Sequence, residues 1–306
     1  MLQNETVPSL NIRKKKTIIV ETGTNWLDNI FYSKDDLPSL HIMGKPLMLY
    51  NIEKLLLQYD IDDIVLPEGF TDLCDIIQAS FPSIQIDESN GTKQTGPDNI
   101  KILVNSVMTK PKGSENYVAR KIVYPWDILK IMHEVLNADV TETIISKNSS
   151  IAESAIVKGP CIIEDGVFVD DFSKIIGPIY MGKNARVGTG SLVRHSMMGD
   201  DTNIGFNCEI ARSFFAGNTR VAHLDVVLDS IIGYGCWLGG FVGTTNVLLD
   251  KQTIRYKLDD VLVSTGLEQF GAVIGHGCCI GAGTIILPGR FVPPKSIIQA
   301  GTVFSK

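Results

Sequence analysis

No run of apolar residues in this chain is long enough to cross a bilayer. The N-terminus is polar, and its first apolar stretch, Ile18–Val20, is too short for the core of a secretory signal. Positive charge is also in short supply. The net charge is −6, and the one basic run, Arg13 to Lys16, reads as a solvated lead-in to a strand. A general nucleic-acid-binding role is therefore disfavoured. The six cysteines never fall in a CxxC or zinc-ligand spacing, so no metal site is expected, and a reducing cytoplasm is the expected location. What is present is the composition of a globular protein, 44% apolar and 20% charged, over 306 residues: one large domain or two ordinary ones.

The chain carries a repeat. From Met181 onward, apolar residues recur at Val187, Val193, Met198, Ile204, Ile210, Phe215, Val221, Val227, Ile232 and Leu238. The steps are six, six and five residues, so equivalent positions lie 17 apart. The pattern resumes at Ile274, Ile280, Ile286, Phe291, Ile297 and Val303, and looser copies precede it at Ile151, Ile156, Ile162, Val169 and Ile175. A fixed internal period marks a solenoid. Six residues suffice for a short strand and a corner, and three such sides close a triangular coil that stacks by parallel pairing. The fifth residue of each hexapeptide also points inward and is small: Ser191, Thr202, Cys208, Thr219, Cys236, Cys278 and Thr284. Three cysteines are thereby explained as packing residues. The segment 250–270 is polar and breaks the spacing, so it is expected as a loop leaving the coil.

The first part alternates strand and helix signals. Strands are predicted at Thr17–Glu21, Asp63–Leu66, Ile84–Ile86 and Ile102–Val104, and helices at Pro46–Tyr59, Thr71–Ala79 and Pro125–Leu136. The division expected is an α/β domain with a mainly parallel sheet over 1–140, then an all-β domain, the parallel β-helix of hexapeptide repeats, over 141–306.

Two sets of residues carry a family resemblance. Leu37-Pro-Ser-Leu-His-Ile-Met-Gly-Lys-Pro-Leu, then Ile61-Asp-Asp-Ile-Val, resembles the first βαβ unit of sugar-1-phosphate nucleotidylyltransferases. Val221-Ala-His-Leu-Asp-Val-Val-Leu-Asp-Ser-Ile-Ile-Gly, Thr245-Asn-Val-Leu-Leu-Asp and Phe270-Gly-Ala-Val-Ile-Gly resemble the acetyltransferase half of bifunctional N-acetylglucosamine-1-phosphate uridylyltransferase / glucosamine-1-phosphate acetyltransferases of the archaeal type. The resemblance implies a left-handed β-helix, acetyl-CoA as cosubstrate, an amino sugar or amino sugar phosphate as acceptor, and a homotrimer with the coenzyme groove between subunits.

It also implies roles. His223 falls on the family's general base, where a neutral imidazole takes the proton of the attacking amine. Without the flanking motif it would be read as a solvated corner histidine, as the other four are. His195 and His276 share its offset in their hexapeptides, but the columns put His195 and His223 on different sides, which argues against a three-histidine metal site. Asn246 matches the family's orienting asparagine. Arg194, Glu209 and Arg212 match or adjoin its sugar-phosphate positions, and Gly240, Ala282 and Ala300 its small residues beside the pantetheine arm. Two departures fall on the acceptor side: Ala211 stands for a phosphate-binding lysine and Val226 for a tyrosine.

The N-terminal half departs further. The phosphate loop reads Glu21-Thr-Gly-Thr-Asn-Trp-Leu-Asp, with one glycine and no cation, and the lysine before the Leu-Pro stretch is replaced by Leu37. Lys45 remains. The domain is reduced, and without cations it could not neutralise a triphosphate, so its nucleotidylyltransferase activity is expected to be lost. The sequence therefore predicts an N-acyltransferase. A nucleotidylyltransferase-like protein, either an inactive binding or regulatory subunit or an active enzyme with an altered loop, is the alternative.

Overall fold

The computed structural model describes residues 15–21, 40–67, 70–88, 99–258 and 260–305. Most of the expected phosphate loop, residues 22–28, and Leu37 lie outside the described residues.

The N-terminal unit is built on four parallel strands in the order Gln85–Glu88, Asp60–Leu66, Lys15–Glu21, Ile100–Leu103. Helix α1 (Leu47–Leu56) starts at Pro46, which supplies the extended backbone a first turn needs, and buries Leu47, Met48, Tyr50, Asn51, Ile52 and Leu55. Helix α2 (Thr71–Ser80) buries only Leu73 and Ile77. Helix α3 (Asp127–Asp139) begins at Asp127, whose carboxylate accepts hydrogen bonds from the Val123 and Tyr124 amides, both at 2.8 Å. An antiparallel hairpin, Ser106–Thr109 with Val118–Lys121, was not expected from the sequence. Buried Asn51 fastens α1 to it, donating to the Ser106 carbonyl and accepting from the Met108 amide, each at 2.8 Å. Asp139 at the end of α3 accepts from the Tyr50 and Tyr117 hydroxyls at 2.7 Å and pairs with Lys54 at 2.8 Å.

From Ile144 to Phe304 the chain is a parallel β-helix of three eight-stranded sheets. In each coil a strand of the third sheet (Ile144–Ile145 is its first) leads to the first sheet (from Ser150–Ile151) and then to the second (from Ile156–Lys158). The middle coils follow the predicted register, with Met181, Met198, Phe215 and Ile232 stacked in one column. The outer coils are corrected by one residue. Ile274 stacks on Val292, Ile280 on Ile298 and Ile286 on Phe304, not on Phe291, Ile297 and Val303. Ile297 and Val303 are exposed at 81% and 64%. The last coil has 18 residues, the extra one taken up at Pro288–Gly289, where Gly289 turns with φ +69°. The same slip at the start turns Val157 and Ile163 inward in place of Ile156 and Ile162.

Two cores result. One fills the coil. The other joins the N-terminal unit to the outer surface of the third sheet through Tyr180, Met197, Phe214, Ile231 and Val273. Those strands are buried on both faces, so they read as apolar doublets: Met197-Met198, Phe214-Phe215, Ile231-Ile232, Val273-Ile274. Each such side chain contributes about 1.5–3 kcal/mol by leaving water.

The polar stretch after Thr244 is not a loop thrown clear of the coil. It folds into an antiparallel hairpin, Arg255–Leu258 with Val261–Ser264. Its base turns back, with Ile254, Tyr256 and Phe270 fully buried. The Tyr256 ring lies 5.5 Å from Trp126, 6.3 Å from Phe270 and 6.4 Å from Phe291, measured between centroids. The few apolar residues in a polar segment thus pin it across the join.

Candidate functional site

The structure sorts the residues singled out in the sequence onto two different corners of the coil.

The corner between the first and second sheets carries His223, just after strand Arg220–Val221. Backbone hydrogen bonds run straight up it. The Leu224 amide donates to the Phe206 carbonyl, Phe241 to His223, Gly283 to Gly240 and Gly301 to Ala282, all at 2.8–2.9 Å. His223, Gly240, Ala282 and Ala300 therefore stand one above another. His223, Ala282 and Ala300 are exposed. A Cβ on Gly240 would come 3.2 Å from the His223 carbonyl oxygen, so the glycine lets the two coils stack closely there. Phe206, Leu224 and Phe241 flank it as exposed apolar side chains, and Leu224 and Phe241 hold the left-handed turn at φ 61° and 63°.

The imidazole is oriented. The Phe206 amide donates to His223 Nδ1 at 3.2 Å. A neutral ring accepting at Nδ1 carries its proton on Nε2. In this conformation His223 therefore presents an N–H donor to solvent. Accepting a proton at Nε2 requires the other tautomer, and with it release of the Phe206 amide.

The corner between the second and third sheets carries a polar ladder: His195, Arg212, Asp229 and Asn246, one per coil. Arg212 grips Asp229 with two bonds, Nε to Oδ1 at 2.6 Å and Nη2 to Oδ2 at 2.7 Å. Asn246 Nδ2 donates to the same Oδ2 at 2.6 Å. Beside the ladder, Arg194 Nη2 pairs with Glu209 Oε1 at 2.8 Å. His133 of α3 faces the ladder from the N-terminal unit. Burial lowers its pKa most, Asp229 raises it, and Arg212 and His195 lower it further.

Arg194 and Glu209 are thus together, and so are Arg212 and Asn246, but both of the latter are engaged by Asp229. His223 and Asn246 stand on either side of the second sheet, at different corners of the coil. Ala211, at the family's lysine position, is fully buried, and Val226 is exposed. His195, His223 and His276 occupy three different corners. Among the described residues no three His, Cys, Asp or Glu side chains are grouped to hold a metal. Sequence reasoning missed His133 and the part played by Asp229. The 17-residue spacing of 195, 212, 229 and 246 was the available signal.

In the N-terminal unit, Lys45 is paired with Glu53 of α1 at 2.6 Å, and Glu21 with Lys101 at 2.6 Å. No helix among the described residues is long and apolar enough to cross a membrane.

No protein-family model matches the chain. It is 32% identical over 184 residues to the bifunctional protein GlmU of Methanococcus vannielii, covering 60% of this chain and 43% of the relative. It is 26% identical over 162 residues to YaiX of Escherichia coli, named as an uncharacterized acetyltransferase, covering 53% of this chain and 63% of that one. The chain spans less than half the length of the GlmU relatives it matches. Among solved structures, the acetyltransferase domain of PglB from Neisseria gonorrhoeae in complex with acetyl coenzyme A aligns at 14% identity and a TM-score of 0.23, covering 78% of this chain and 96% of that one.

Proposed function

We propose that the β-helix is an acetyl-CoA-dependent N-acyltransferase whose acceptor is an amino sugar or amino sugar phosphate. The observation that carries this reading is the line of His223, Gly240, Ala282 and Ala300 up one exposed corner. An extended pantetheine arm needs a strip where backbone can be approached closely, ending at a group that handles a proton. The relative named as an uncharacterized acetyltransferase agrees with that chemistry.

In the reaction, the acceptor amine attacks the thioester carbonyl, the C–N bond forms, and the C–S bond breaks with the coenzyme thiol taking up a proton. His223 serves in two ways on this reading. As the Nε2–H tautomer it donates to the carbonyl oxygen as negative charge develops there. As a base it must first release the Phe206 amide and pass its own proton from Nε2 to Nδ1 through solvent, after which Nε2 takes the proton of the attacking amine. Arg194 and Glu209 are the acceptor-side pair, half-buried and bonded to each other. Because His223 and Asn246 sit on opposite corners, a complete site is formed between copies, which fits a homotrimer packed along the coil axes.

The test is release of free thiol from acetyl-CoA in the presence of glucosamine-1-phosphate and unphosphorylated amino sugars. Acceptor-dependent release that His223→Ala abolishes supports the proposal, and no release with any amino sugar rejects it. One observation favours a second reading, a binding or regulatory subunit: Arg212 and Asn246 are both taken up by Asp229. Acetyl-CoA or sugar-phosphate binding without turnover would support it.

A further inference from the structure

One column inside the coil immediately precedes the second sheet: Ser173, Ser191, Cys208, Asp225, Val242 and Thr284. All six are buried. Three of its members share one pattern, which is to donate to a carbonyl of the next coil: Ser173 Oγ to Gly188 O at 2.9 Å, Ser191 Oγ to Gly205 O at 2.7 Å and Cys208 Sγ to Ala222 O at 3.5 Å. Thr284 Oγ1 donates within its own coil, to Gly281 O at 2.7 Å, with Gln299 O of the next coil at 3.3 Å. Ser191 Oγ also accepts from the Cys208 amide, 17 residues on, at 2.9 Å.

Asp225 occupies this column as a carboxyl group. Its Oδ1 does what Ser191 does, accepting from the Val242 amide 17 residues on, at 2.7 Å. Its Oδ2 is buried with no hydrogen-bond partner among the described residues. The carbonyl in register with Gly205 and Ala222 is that of Gly239. A carboxylate can only accept, so an ionised Asp225 leaves the donor place in the column empty and a charge inside an apolar coil.

We propose that the folded protein carries Asp225 as the neutral acid, with the Oδ2 proton donated to the Gly239 carbonyl, and that this proton closes the coil corner bearing His223 and Gly240. The proton makes the acid a longer serine: one oxygen accepts from the coil above and the other donates to it. The groups facing it are the Cys208 thiol below and the Val242 side chain above, neither charged at neutral pH, and His223 lies outside the coil. Burial pushes the Asp225 carboxyl up to about 7, while the Val242 amide that it accepts from and the nearby Ala222 and Phe241 amides pull it back. The His223 corner is thereby tied to a proton that leaves near neutrality. This holds whether or not the corner transfers acyl groups.

The folded acid keeps its proton to about pH 7 and the unfolded one to about pH 4. Between those values the folded state binds more protons, so its stability falls as pH rises, and the loss is complete above the folded value. Thermal unfolding of the full chain should show this when wild type is compared with Asp225→Asn, which keeps the shape, the acceptor and a permanent donor. Relative to the variant, wild type should lose roughly 5 °C between pH 5 and pH 8 and nothing further above. Histidine titrations occur in both proteins and cancel in the difference. The second measurement is the aspartate side-chain carbonyl carbon signal that Asp225→Asn removes, followed through pH in wild type. A midpoint near 7 supports the proposal. A midpoint near 4, or parallel stability profiles for the two proteins, overturns it.

Discussion

Arg212 and Asp229 meet across one coil of the β-helix as a two-point ion pair, with both guanidinium contacts under 2.8 Å and Asn246 bonded to the same carboxylate. The pair is partly buried, with side-chain exposures of 27% and 10%. It is geometrically matched, which is what makes an arginine–carboxylate contact specific. Asp229→Ala should therefore cost about 1–3 kcal/mol in denaturant unfolding, because it leaves a guanidinium without its acceptor. Arg212→Lys should recover little, since an ammonium cannot reproduce the fork. Indifference of unfolding to both substitutions would show that the ladder contributes nothing to stability.

The ladder is also a place where protons count. His133 is held below its ordinary pKa, chiefly by burial. The unfolded chain then binds its proton more readily, so stability should fall as pH drops through about 6.5 toward the depressed folded value. His133→Gln should flatten that acid limb in a thermal melt series. The direction is opposite to that expected of Asp225, so the two effects separate by sign.

His223 is exposed and makes one weak contact through its ring. His223→Ala should change unfolding free energy by less than about 1 kcal/mol. If acyl transfer occurs at this corner, the same substitution should cut kcat/KM by roughly 10²–10⁴ while acetyl-CoA still binds. A large loss of stability with activity retained would assign the histidine to the architecture.

Phe214 lies on the outside of the third sheet and is almost fully buried under the N-terminal unit. Phe214→Ala should cost about 3–5 kcal/mol. The coil interior is untouched, so limited proteolysis should cut the N-terminal unit first while the solenoid resists. Uniform digestion would show that the two cores unfold as one.

The N-terminal unit should not hold a nucleoside triphosphate. Lys45 is neutralised by Glu53, and the strand leading to the phosphate loop ends in Glu21. Calorimetry with UTP or dTTP and Mg²⁺ should register no binding. Tight, magnesium-dependent binding would restore a nucleotide-using role.

The coil was legible because one physical demand repeats: every sixth residue must be apolar to fill a narrow prism. Val187, Ile204 and Val221 could be lined up with no other knowledge. Where a coil lengthens by one residue, period alone misleads. Ile297 and Ile298 are equally apolar, and only the turn at Gly289 decides which faces inward. The hairpin at Ser106–Thr109 was hidden because its strands are short and its partner, Val118–Lys121, buries none of its residues. Of the residues singled out in the sequence, His223, Gly240, Ala282 and Ala300 were marked by matched motifs, and the stacking of the coils puts them on one corner. The engagement of Arg212 and Asn246 by Asp229 did not, since a sequence shows which residues are charged but not which are already satisfied.

A triangular prism has three walls, and here one is taken. The N-terminal unit covers the third sheet along Tyr180, Met197, Phe214, Ile231 and Val273. Whatever chemistry its own loops have kept, it works as cladding. Cut free at the start of the coil, the solenoid would present a continuous greasy strip running up one wall, and such a strip promotes aggregation. Among the described residues, the first and second sheets are the walls that the N-terminal unit leaves open to neighbouring copies. The small domain thus fixes which way the prism can face.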